Sequence, residues 1–159
     1  MNHLWAPWRM TYIGGKKPKG CFFCQALAER RDAANLILHR GHECFCLMNR
    51  YPYNNGHLMV ALNRHIGQLA DMSDSEMLEL MQLTRQAQDV LTRHIKPDGF
   101  NIGINLGKVA GAGVVDHFHI HIVPRWHGDT NFMPVTASTK VVPQALDDLC
   151  RQLRRVFRG

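Results

Sequence analysis

The stretch Asp116-His117-Phe118-His119-Ile120-His121-Ile122-Val123-Pro124-Arg125-Trp126 alternates histidine with an apolar residue three times. A period of two belongs to a β-strand, whose successive side chains point to opposite faces. On a helix the same steps would scatter the rings around the axis. The three imidazoles therefore stand in one row, with Phe118, Ile120 and Ile122 facing a core behind them, and Pro124 suits the end of the strand. A lone histidine is commonly a satisfied structural residue. Three on one face call for chemistry.

The 159 residues are enough for one domain with a real core, and 45% hydrophobic with 20% charged residues is a globular balance, not a disordered one. No apolar run reaches the ~20 residues needed to span a bilayer. The first residues lack a basic stretch followed by an apolar one, so no secretory signal is expected. Five cysteines, an odd number, with one Cys-x-x-Cys pair, point to reduced thiols and metal, hence to a cytoplasmic protein. The net charge of +6 is concentrated partly in Arg151, Arg154, Arg155 and Arg158. Bases late in a helix complement its dipole, so this cluster alone does not call for nucleic acid.

Residues 1–20 read as an arm with aromatic anchors Trp5, Trp8 and Tyr12, and 21–159 as a single domain. Cys21-Phe22-Phe23-Cys24 places two thiolates at zinc spacing, a redox dithiol being the rival. A short helix is predicted over 25–34, then strands over 43–48 and 57–62 joined by Tyr51-Pro52-Tyr53-Asn54-Asn55-Gly56. Cys44 and Cys46 share one face of the first strand and are expected in the core. Ser73 with Glu76 forms a capping box for the longest helix. Its buried face is expected to hold Met77, Leu80, Met81, Thr84, Ala87, Gln88 and Leu91. A strand over 100–105 leads into a glycine-rich loop, 106–115, and a C-terminal helix begins near Val142. The loop lacks the Walker pattern, but its small residues let backbone N–H groups approach an anion.

Two chemistries compete for the row. The histidines can bind a catalytic zinc with an open position for water. Alternatively one neutral ring attacks phosphorus while its neighbours hold the phosphate. The glycine-rich loop, with Asn105 and His57 as neutral partners, favours the second. A third reading, from another class, is a nucleotide- or nucleic-acid-binding module without turnover.

His117-Phe118-His119-Ile120-His121-Ile122-Val123 resembles the signature of the histidine-triad (HIT) family. The likeness extends through Asn49, through Asn55-Gly56-His57-Leu58-Met59-Val60, and through Gly99 to Asn105. Leu4–Met10, Tyr51–Asn54, Val123–Trp126 and Gly128–Phe132 resemble its bacterial diadenosine tetraphosphate phosphorylase branch. The resemblance implies an α+β fold with an antiparallel sheet of about five strands, a long helix and a C-terminal helix, and a homodimer. It implies that His119 is the nucleophile that takes the nucleoside monophosphate, that His121 bonds the α-phosphate, and that His117 and His57 support them. Asn49 would meet the ribose. Asn105 and the amides of Gly111, Ala112, Gly113 and Val114 would bind phosphate. The expected substrate is an adenine nucleotide ester such as a dinucleoside polyphosphate, cleaved by water or by phosphate with no metal needed for the chemistry. A nucleoside phosphoramidate hydrolase of the same family is the alternative.

The resemblance also supplies partners for the cysteine pair: Cys21, Cys24, His65 and His117 would form a closed, structural zinc site that braces His119. One departure stands out. Many members carry a hydroxyl residue just before the triad, whereas this chain has Ala112-Gly113-Val114-Val115 with an additional residue. His3, His39, His42, His94 and His127 match no motif and are expected on the surface.

Overall fold

The computed structural model describes residues 20–129 and 144–158. It contains helix α1 (Phe22–Glu29), strands β1 (Ile37–Arg40), β2 (Cys44–Met48) and β3 (Leu58–Leu62), helix α2 (Asp74–Ile95), strands β4 (Gly99–Ile104) and β5 (His119–Arg125), and helix α3 (Leu146–Arg158). The strands form one antiparallel sheet in the order β1-β2-β3-β5-β4. This is the α+β architecture expected from the sequence.

Strands β1, β2 and β3 divide their side chains between two cores, and β5 adds to the first. Leu38, Cys44, Cys46, Met48, Leu58, Val60, Leu62, Ile120 and Ile122 pack beneath α2 and α3, joined by Leu80, Ala87 and Leu91 from α2 and Leu149 and Leu153 from α3. Ile37, Phe45, Leu47, Met59 and Ala61 face the other way and are covered by Phe23 and Ala26 of α1. Cys44 and Cys46 are fully buried, as expected. In β5, Ile120 and Ile122 enter the first core, so His119 and His121 must lie on the α1 face. Among the described residues, no helix is long and apolar enough to cross a membrane.

Several elements differ from expectation. Strand β1 was not foreseen: four residues ending in His39-Arg40 carry no alternation to read. The first helix runs earlier than 25–34 and stops at Glu29. Arg30 then turns left-handed (φ 51°), and Arg40 donates to the carbonyls of Ala26 and Leu27 at the helix end. The capping box on α2 is present, but Met77, Met81 and Gln88 are exposed, and Leu83 and Val90 are buried instead. Met77, Met81 and Gln88 lie on one flank of the helix, and apolar character alone did not tell that flank from the buried stripe. His39 is half-buried and stacks on Phe157 at 5.8 Å. Strand β5 runs one residue past Pro124. There β5 has passed the first residue of β3, and Pro124 offers only its carbonyl, to Asn54 Nδ2 at 3.0 Å. The aromatic arm, His3 and the stretch 130–143 fall outside the described residues.

Candidate active site and metal centre

The turn before β3 fixes the first histidine. Gly56 has φ +71°, a backbone that favours glycine, and a Cβ there would lie 2.6 Å from Ile95 Cδ1, so that side chain would have to move. His57 follows, fully buried. The Tyr53 N–H donates to His57 Nδ1 (3.0 Å). As a neutral ring His57 therefore carries its proton on Nε2 and donates to His121 Nδ1 (3.0 Å). By the same logic His121 keeps its own proton on Nε2. The Tyr53 ring packs on both, at 4.6 and 5.7 Å.

His119 is set by a separate bond. Its Nδ1–H donates to the carbonyl of His117 (2.8 Å), which leaves the Nε2 lone pair without a hydrogen-bond partner among the described residues. The ring is 5% exposed. Burial pushes its pKa below the usual 6.5 despite the bond to His117, so it is neutral at pH 7. His119 and His121 meet edge to face at 4.8 Å. Asn49 N donates to His57 O (2.9 Å), which places Asn49 beside His57 at the end of β2. Asn105 follows Ile104, the register partner of Ile120, and so ends its strand next to His119. In the glycine-rich loop the N–H groups of Gly111 and Ala112 bond back to Lys108 and Gly107. Those of Gly113 and Val114 have no backbone partner among the described residues, and Val114 is packed against the second core.

His117 faces another way. Its Nε2–H donates to Leu62 O (2.7 Å), so Nδ1 holds the lone pair. That atom lies 3.3 Å from Cys21 Sγ, 3.5 Å from Cys24 Sγ and 3.3 Å from His65 Nδ1, and Cys24 Sγ lies 3.4 Å from His65 Nδ1. The four ligand atoms fall within 4.8 Å of one another. Zinc bonds of about 2.0–2.3 Å arranged tetrahedrally put neighbouring ligand atoms about 3.3–3.7 Å apart, so the spacing and the Cys₂His₂ donor set both fit one ion. Burial, above all, brings the His117 pKa down to about 4, leaving a neutral donor. Burial and then Cys21 raise that of Cys24, a strain that a cation between the thiols would relieve. The set can hold a metal. His117 also donates its second nitrogen to a backbone carbonyl, as metal-ligating histidines usually do.

The expected residues are thus brought together, but as two centres sharing His117. Among the described residues, His119 and His121 do not join the ligand atoms that converge, which disfavours one catalytic metal held by all three rings. Sequence reasoning missed Phe23, whose ring lies 4.9 Å from His117 and 5.0 Å from His119 and so bridges the centres. It also missed the backbone of Tyr53 and the pair Arg64–Glu76 beside His65. Phe23 could have been found from its place inside the Cys-x-x-Cys pair. The others depend on tertiary contacts.

A family model for the HIT domain matches residues 30–128, well over half of the chain. The chain belongs to the HIT family. AP-4-A phosphorylase of Mycobacterium tuberculosis is 38% identical to this HIT protein over 161 residues, covering 96% of this chain and 83% of its own. Bis(5'-adenosyl)-triphosphatase of Dictyostelium discoideum is 35% identical over 81 residues, covering 51% and 54%. A Zn-bound histidine triad family protein from Mycobacterium smegmatis superposes with a TM-score of 0.67 at 23% identity, covering 87% of this chain and 96% of its own. At that identity the likeness is one of fold.

Proposed function

We propose that this HIT protein cleaves dinucleoside polyphosphates such as diadenosine tetraphosphate by passing a nucleotidyl group through His119. The observation that carries the reading is the neutral His119 ring with its Nδ1 proton committed to His117 O and its Nε2 lone pair without a hydrogen-bond partner among the described residues. Nε2 attacks the α-phosphorus, and the P–N bond forms as the bond to the bridging oxygen breaks. ATP leaves, and AMP stays on His119. Inorganic phosphate or water then attacks the same phosphorus, breaks the P–N bond and yields ADP or AMP.

The His57–His121 pair directs the Nε2–H of His121 at the phosphate oxygens, where a fixed donor stabilises developing charge. Asn49 meets the ribose, while Asn105 and the amides of Gly113 and Val114 receive the phosphates. Similarity to an enzyme named a phosphorylase supports phosphate as the acceptor. A structural zinc on Cys21, Cys24, His65 and His117 would fix the His117 carbonyl that orients His119; it takes no part in the transfer. We also propose the division into an arm, residues 1–20, and one domain, 21–159, and a homodimer formed along β4. That strand is the sheet edge, with Ile102 and Ile104 exposed on the α2 face.

The test is incubation of the purified protein with diadenosine tetraphosphate, with and without phosphate, and analysis of the products. ATP with ADP, formed only when phosphate is present, is the expected result. ATP with AMP would make the acceptor water. No cleavage of the dinucleotide beside turnover of an adenosine phosphoramidate would overturn the substrate assignment.

A further inference from the structure

His65 differs from the other three residues of the metal centre. Cys21 and Cys24 are fixed by α1, whose Phe23 is fully buried, and His117 is buried and tied to Leu62. His65 is exposed and sits on the segment between β3 and α2. Among the described residues its polar and ring–ring contacts are with other members of the set, Cys24 and His117. Its direction is therefore set in large part by how its backbone is held.

That backbone is held at the next residue on each side. Arg64 donates Nε to Glu76 Oε1 (2.7 Å) and Nη2 to Glu76 Oε2 (2.8 Å), a two-pronged ion pair, and Nη2 also reaches the Asp71 carbonyl (2.9 Å). Glu76 is 2% exposed, and its Oε2 accepts the Ser73 N–H (2.8 Å) in the capping box of α2. The carboxylate is thus a rigid post at the start of the longest helix. On the other side, Ile66 O accepts from Phe118 N (2.7 Å). A Cβ on Gly67 would lie 2.9 Å from Asp116 Cα and 3.0 Å from Val115 O, so only glycine lets this backbone seat against the chain leading to His117.

We infer that the Arg64–Glu76 pair is the positioning element for His65, and that it sets the metal affinity of the centre; the inference rests on the metal reading above. A two-pronged guanidinium–carboxylate pair fixes direction as well as distance, which a lysine ammonium does not. The fourth ligand is then poised before the ion arrives, and less ordering has to accompany binding.

The measurement is zinc affinity of the full chain, by competition with a chromogenic chelator, for the wild type, Arg64→Lys, Arg64→Ala and the core variant Val90→Ala. Thermal unfolding of each is followed in parallel. Removing outer partners of metal ligands typically costs ~10–100-fold in affinity. Arg64→Ala is expected to lose at least about tenfold and Arg64→Lys to fall between it and the wild type. Val90→Ala is expected to unfold earlier with unchanged zinc affinity. Wild-type affinity in Arg64→Ala, with only a lower unfolding temperature, would make the pair merely structural and overturn the inference. Absence of zinc uptake by the wild type would overturn the metal reading and this inference together, and would leave the chemistry proposed for His119 standing.

Discussion

Burial holds the His119 pKa below the usual 6.5 of imidazole, while its bond to the His117 carbonyl pulls the other way. In the proposed mechanism the neutral ring is the nucleophile, so protonation would switch the site off. Because the pKa is lowered, that loss comes later on acidification than for a free imidazole. The acidic limb of kcat/KM for nucleotide cleavage should therefore be centred below 6.5; a limb centred above 6.5 would contradict the assignment. The alternation of histidines made His119 and His121 legible in the sequence as members of a row. It did not reveal which nitrogen of each ring carries the proton. That is decided by Tyr53 N–H, His117 O and Leu62 O, backbone groups whose identity follows only from the folded path of the chain.

At the scale of elements, the four strands with readable alternation or turn chemistry were legible, as was the capping box of α2. Strand β1 was not, because its four residues gain their strand geometry from pairing with β2. Nor were the faces of α2, since Met77 and Met81 are apolar yet exposed. Gly56 shows how local chemistry can carry a tertiary constraint. Asn55-Gly56 marks a turn in the sequence, but the same glycine also clears Ile95 and Leu91 at the base of α2. Gly56→Ala should cost about 1–3 kcal/mol, from left-handed backbone strain and overpacking, and should lower activity by displacing His57. Urea unfolding checks the first part. Stability equal to the wild type would show that the helix yields without cost.

At the scale of the molecule, the sheet does what no single motif could. It sets His117 and His119 two residues apart on one chain, yet aims one at Cys21, Cys24 and His65 and leaves the other for a ligand. The convergence of the cysteine pair with His65 followed from family resemblance, because the spacing between α1, the segment after β3 and the triad carries no local signal. The edge strand β4 gives the whole-molecule prediction on assembly. Unpaired edges with exposed apolar residues favour pairing with another chain, so Ile104→Lys should convert a dimer into a monomer by size-exclusion chromatography with light scattering. A wild type that elutes as a monomer would contradict the proposed interface. The covalent intermediate can also be read on the intact protein. Mixed with diadenosine tetraphosphate in the absence of phosphate and quenched rapidly, the wild type should gain the mass of one adenylyl group, mapped by peptide analysis to His119, while His119→Ala gains none. Turnover without any adduct, or an adduct that persists in His119→Ala, would contradict the account.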